Sequence, residues 1–182
     1  LVFRTKTGTL TATEATHQSL MAMEAGLVLL ANGNDFIGDA VEGLGLAANA
    51  GSDGVSTTAS VGGGKYRHTT GSHVDTHAWN AIVAVGAKKE AKKGELEYGI
   101  FGEYGRSSYT LHDNKGGRSS GDAHYAGGGL LAKWTNKHDV YTEASIRLGR
   151  LSDDADNVMY EELTGTGHNY DVHANYFGAH VG

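Results

Sequence analysis

The stretch HVDTH sets His73, Asp75 and His77 at alternate positions, and alternate side chains of an extended chain share a face. Two imidazoles and a carboxylate projecting together could ligate a divalent metal of the zinc type. The chain holds ten histidines, so polar residues near a loop account for the spacing as readily, and no metal is assigned. The acidic stretch from Asp153 to Asp156 has the hard oxygen ligands that calcium takes, but lacks the ordered ligand spacing and the glycine of a dedicated loop. It reads as a solvated loop. His112, Asp113, Asp122 and His124 are the residue types of a carboxylate or acid–histidine hydrolase. Such chemistry needs two groups facing one water at hydrogen-bond reach, which linear sequence does not show. No catalytic residue and no cofactor are assigned.

These residues sit in or beside strand-like runs. In GELEYGIFGEYGRSSYTLHD, Leu96, Tyr98, Ile100 and Tyr104 alternate with Glu95, Glu97 and Glu103. In VYTEASIRLGR, Ile146 and Leu148 alternate with Glu143 and Arg147; in NYDVHANYFGA, Tyr170, Val172 and Tyr176 alternate with Asp171 and His173. Six such runs follow Val55, at about 55–66, 73–88, 95–110, 122–134, 139–151 and 168–181. Both faces are apolar between Ala81 and Ala87, and three glycines dilute HYAGGGLLAKW. The alternation fits a soluble sandwich, with the greasy face in a core, as well as a membrane barrel, with that face on lipid. Two features tip the choice to the barrel. The runs exceed ordinary soluble strands, and crossing hydrocarbon takes about 9–11 tilted residues. The compact lysine-rich connections KKEAKKG and TNKHD also alternate with the longer HDNKGGRSSG and SDDADNVMYEELTGTG, as barrel rims do. Leu96, Tyr98, Ile100, Tyr104, Ile146, Leu148, Tyr170, Val172 and Tyr176 are then expected on lipid. Glu95, Glu97, Glu103, Glu143 and Arg147 are expected in a wet lumen.

Composition narrows the class. The 182 residues include 28 glycines, no proline and no cysteine. Glycine at this level without proline fits close-packed or curved strands, since proline would interrupt their ladders. The formal charge of −6 argues against a nucleic-acid partner. No apolar run is long enough for a membrane helix, which leaves barrels open. Leu1 is neither an initiator methionine nor a signal-peptide start, so a longer precursor is expected.

The first fifty residues differ. Thr11 and Glu14 have capping-box spacing, Leu20, Met23, Leu27 and Leu30 follow at helical intervals, and Asn32-Gly33 stops the run. A second helical pattern holds Phe36, Ile37, Ala40, Val41 and Leu44. Residues 1–50 thus read as a linker and helical segment, and 51–182 as six strands.

From Ala12 onward the chain resembles the translocator barrel of autotransporters, the surface-export proteins of Gram-negative bacteria. The resemblance is carried by ATEATHQSLMAMEAGLVLLANGNDFIGD, TGSHVDTHAWNAIVAVGAKKE, GELEYGIFGEYGRSSYTLH, GDAHYAGGGLLAKW and YTEASIRLGR, in that order. It implies an all-β fold with an N-terminal helix: an antiparallel up-and-down outer-membrane barrel, here six strands of an expected twelve. Ala12 to Ala31 would be a helix inside the lumen, with Thr13, Glu14, His17, Gln18 and Glu24 as its polar surface. The function implied is an outer-membrane pore and anchor carrying an N-terminal passenger to the cell surface, without enzymatic activity. The partners implied are membrane lipid and lipopolysaccharide, the passenger, periplasmic chaperones and the barrel-assembly machinery. Six strands leave two open edges, through which the chain could also pair with a second copy. An Asn-Asn pair for self-cleavage is absent, and the chain ends at Gly182 without the terminal aromatic of such barrels. The alternatives are an outer-membrane barrel protease and a soluble β-rich adhesion domain.

Overall fold

A computed structural model describes residues 3–6, 9–12, 23, 25–33, 36–38, 40–43, 55–69, 73–112, 118–161 and 166–182. A short antiparallel hairpin, β1 (Phe3–Lys6) and β2 (Thr9–Ala12), comes first. Helical residues 25–33 (α1) and helical turns at 36–38 and 40–43 (α2) follow. Six long strands complete the chain: β3 (Val55–Thr69), β4 (His73–Ala91), β5 (Gly94–His112), β6 (Arg118–Asn136), β7 (Tyr141–Glu161) and β8 (Thr166–Val181). They form one antiparallel meander in chain order, each hydrogen-bonded to the next. The protein is mostly antiparallel β-sheet, as the alternation predicts. The hairpin reaching Ala12 displaces the helix start expected there, and α1 is described only from residue 25 apart from Met23.

Two turns on one rim are tight. Lys92-Lys93 joins β4 to β5. At the other, Asn136 Oδ1 accepts from the backbone N–H groups of His138 (2.8 Å) and Val140 (3.1 Å), and Asp139 takes the left-handed conformation with φ 59°. Asn and Asp suit these roles because their side chains mimic backbone acceptors and tolerate that conformation. The opposite rim differs from expectation. Most of the two long loops is strand: β6 already begins at Arg118 and β7 runs to Glu161, with register shifts beyond Ala155. Polar composition suggests loop there, but residues 118–121 and 152–156 find ladder partners on neighbouring strands, and Val158 and Glu161 continue the pairing with β8, which outweighs local propensity.

Alternation divides the sheet into an inner face, which carries the helices, and an outer face. Ala25 and Leu29 of α1 pack with Val74, Ala78, Tyr109, Tyr125 and Leu151. Ile37, Ala40 and Val41 of α2 pack with Ile82, Ala84, Phe101 and Leu131. The outer face shows Val83, Val85, Tyr98, Ile100, Leu130, Ile146 and Leu148. Toward the rim opposite the tight turns, where β4 begins and β5 ends, it turns polar with Asp75, His77, Arg106, Ser108 and Asp122. Among the described residues, no helix is long and apolar enough to cross a membrane.

Candidate functional site

The inner face holds a polar network that glycines make possible. Glu103 of β5 lies in one cross-strand row with Gly127, Gly149 and Tyr176. A Cβ at either glycine would overlap the Tyr176 hydroxyl end, so only glycine leaves room for that ring to lie across two strands. The Tyr176 hydroxyl thereby reaches Glu103 and donates to Oε1 at 2.8 Å. The same device recurs at Gly105, beneath the Tyr125 ring, whose hydroxyl donates to Asn80 Oδ1 at 3.1 Å. It recurs at Gly121, beneath Tyr109, whose hydroxyl donates to Asp153 Oδ1 at 2.7 Å. Glycine is therefore abundant where aromatic rings must cross neighbouring strands. The space over Gly127 and Gly129 is taken by Tyr176 and Phe101. Close approach of the helix depends instead on its own Gly33, which leaves no room for a Cβ against Tyr125.

Arg147 of β7 is the hub. Its Nη1 donates to Glu103 Oε2 at 3.0 Å, and its Nη2 donates to the Leu30 carbonyl of α1 at 3.0 Å. The guanidinium lies over the Tyr176 ring, 5.4 Å from its centroid, and that ring meets Tyr125 edge-on at 5.9 Å. Both charged side chains are sealed, at 9% and 1% exposure for Arg147 and Glu103. A sealed charge is tolerable only when paired and hydrogen-bonded, and here the tyrosine and the helix carbonyl add to the ion pair, although the Arg147 Nε is buried without a hydrogen-bond partner. Leu30 lies in the last turn of α1, where carbonyls lack intrahelical partners and a cation interacts favourably with the helix dipole. The cluster therefore clamps the helix to the sheet. It presents no nucleophile with an adjacent base, so its chemistry is binding and positioning.

The remaining inner-face carboxylates lie toward the tight-turn rim. Glu95 pairs with Lys88 at 2.5 Å, while Glu97 and Glu143 both face Lys133 in register. Leu96, Tyr98, Ile100, Tyr104, Ile146 and Leu148 occupy the outer face. Tyr176 does not join them. Its ring lies on the inner face, Val172 shares that side, and Phe177 is exposed in its place. Within β8 both alternate sets are mixed, so alternation cannot choose; pairing Tyr176 with the inner-facing Gly149 does. Thr13, Glu14, His17, Gln18, Glu24, Asp113 and the Tyr170 side chain lie outside the described residues.

The outer-face candidates rearrange. Asp153 is buried on β7 while Asp154 and Asp156 point outward, so the acidic stretch is neither a solvated loop nor a convergent ligand set. Asp122 faces Arg106 at 3.7 Å. His73 and Asp75 do come together, but the second imidazole is His112 of β5, the cross-strand partner of His73. Sequence spacing points to His77 because it sees only one strand. No protein-family model, curated protein or solved structure matches the chain.

Proposed function

We propose that this chain is the N-terminal half of an outer-membrane barrel translocator of the autotransporter kind, a pore and anchor for a passenger attached at its N-terminal side. The observation that carries this reading is the inverted distribution of side chains. A soluble sheet hides aliphatics and shows charges; this one seals Glu103, Arg147, Asn80 and Asp153 and shows Ile100 at 61% and Leu148 at 66% exposure. The exposed residues form a continuous surface, including an apolar depression lined by Val85, Tyr98, Ile100, Leu130 and Ile146. Trp79 packs against Tyr104 at one border of the band, 5.3 Å between centroids, and Tyr98 and Trp134 stand at the other. Lipid-facing barrel surfaces have such an apolar band between aromatic girdles.

Two further features support it. Leu27 of α1 is 60% exposed on the side away from the sheet, which fits a helix enclosed by further strands. β3 and β8 each have one free edge among the described residues, and backbone cannot be left unpaired in lipid. Six more strands joining β8 to β3 would answer both needs. In this reading the Arg147 cluster holds the lumenal helix, the partners are lipid, lipopolysaccharide, passenger and assembly machinery, and no catalytic residue is required.

The test is partitioning of the intact protein between buffer and lipid vesicles, with folding read as heat-modifiable gel migration. Insertion with a compact, heat-sensitive band supports the translocator. A stable, soluble monomer without detergent would assign the outer aliphatic face to a protein contact and end the membrane reading.

A further inference from the structure

We propose that His73, Asp75 and His112 form a binding site for a transition-metal dication of the zinc class on the outer face, where β4 begins and β5 ends, at the rim opposite the tight turns. The inference goes beyond the translocator reading and needs only the register of β3, β4 and β5.

His73 and Asp75 are two residues apart on β4 and share a face; His112 is the direct cross-strand partner of His73. The two imidazoles stack, with centroids 4.4 Å apart and planes 19° from parallel. Each presents its Nε2 to the same carboxylate oxygen, Asp75 Oδ2, at 3.8 Å. The three ligand atoms lie within 4.8 Å of one another. A tetrahedral zinc with bonds of about 2.0–2.2 Å needs ligand atoms roughly 3.4 Å apart. Closing the two His–Asp separations takes a few tenths of an ångström. The two nitrogens must approach further, within the reach of χ rotations in side chains that are 30–37% exposed. The ladder fixes the three Cα positions beforehand.

Arg67 of β3 orients the carboxylate. Its Nε donates to Asp75 Oδ1 at 2.5 Å and its Nη2 to Oδ2 at 2.8 Å. Outer partners of this kind set a ligand's direction in metal sites. Arg67 also holds the Asp75 carboxyl below its usual range through that hydrogen bond, so the group is anionic at neutral pH. The same arginine brings positive charge, as does Arg118, opposite His112. Calcium and magnesium, which rely on several carboxylates, are disfavoured; a metal with strong affinity for imidazole fits. The fourth position would open to a solvent cleft of about 390 Å³ lined by Ser120, Asp122 and Asp156.

The probe is Zn²⁺, titrated into the intact protein in detergent at neutral pH against a chromophoric chelator, with Co²⁺ substitution to report imidazole ligation spectroscopically. Wild type should hold zinc at one site, with affinity falling roughly tenfold or more in His73→Ala and in His112→Ala. Asp75→Asn should also weaken it, and His77→Ala should match wild type. His73→Gln and His112→Gln, which keep size and polarity, serve if an alanine variant loses its circular dichroism spectrum. Undiminished binding in the folded His73 and His112 variants, or equal loss in His77→Ala, overturns the site. Since neither readout depends on lipid insertion, failure here is distinguishable from failure of the translocator reading.

Discussion

Arg147 and Arg67 each grip a carboxylate on another strand, one on the inner face and one on the outer. The outer pair has the shorter contacts, 2.5 and 2.8 Å against 3.0 Å. Yet its side chains are 63% and 30% exposed, where the inner pair's are 9% and 1%. Water and salt screen the outer pair and would solvate either partner alone, so its close geometry adds little to stability. The inner pair was dehydrated on folding, and losing one partner would strand a charge in a site that water does not reach. Environment, more than distance, ranks the two.

The largest test of that ranking is Arg147→Met. It should destabilise by about 3–5 kcal/mol, because Glu103 is left charged and unpaired, read as a shift in denaturant midpoint. Combining it with Glu103→Gln should recover part of the loss. It should also release the Leu30 carbonyl, so amide exchange in α1 should accelerate more than in β5. A silent Arg147→Met would erase the distinction between the two pairs.

The next probe sets the faces against each other. Ile100→Arg puts a charge in the middle of the outer apolar band and should cost about 2–4 kcal/mol if that band faces lipid. Ser108→Arg, on the same strand and face but in the polar rim, should be nearly neutral. Equal effects of the two in vesicles would remove the reason for calling the band lipid-facing. Tyr176→Phe is smaller: it deletes one hydrogen bond to a sealed carboxylate, worth about 1.5–3 kcal/mol, and leaves the ring over Gly127 and Gly149 intact. Denaturation of this variant should fall between wild type and Arg147→Met.

Much of the sheet is legible in the sequence because period-two alternation is a property of a single strand. Glu103 and Ile100 go to opposite faces for that reason alone, and the face of Arg147 follows from Glu143 and Ile146. The remainder depends on register, which no single strand contains. Tyr176 was expected with Tyr98, and only its place opposite Gly149 puts it with Glu103. The glycines are conspicuous in composition, but that Gly105, Gly121 and Gly149 each lie beneath a tyrosine follows from which residue stands beside them on the next strand. His112 replaces His77 for the same reason. The long loops differ for another reason: polar residues at 118–121 and 152–156 read as loop by composition, while pairing partners on neighbouring strands draw them into the ladder.

The smallest expected effect returns to the outer pair. Because Arg67 holds the Asp75 carboxyl below its usual range, the folded state favours the ionised form. The resulting stabilisation is present above the unfolded carboxyl value, near about pH 4, and is lost as pH falls through the lower folded value. Arg67→Ala should therefore lower the denaturation midpoint slightly at neutral pH and converge on wild type as acid protonates Asp75, below its lowered folded value. Molar salt should shrink the neutral-pH difference. The Arg147→Met penalty should persist in the same salt, since ions cannot enter a site closed by α1 and Tyr176. If salt weakened both variants alike, the inner pair would have to be reached by solvent, and the clamp on the helix would be open in solution.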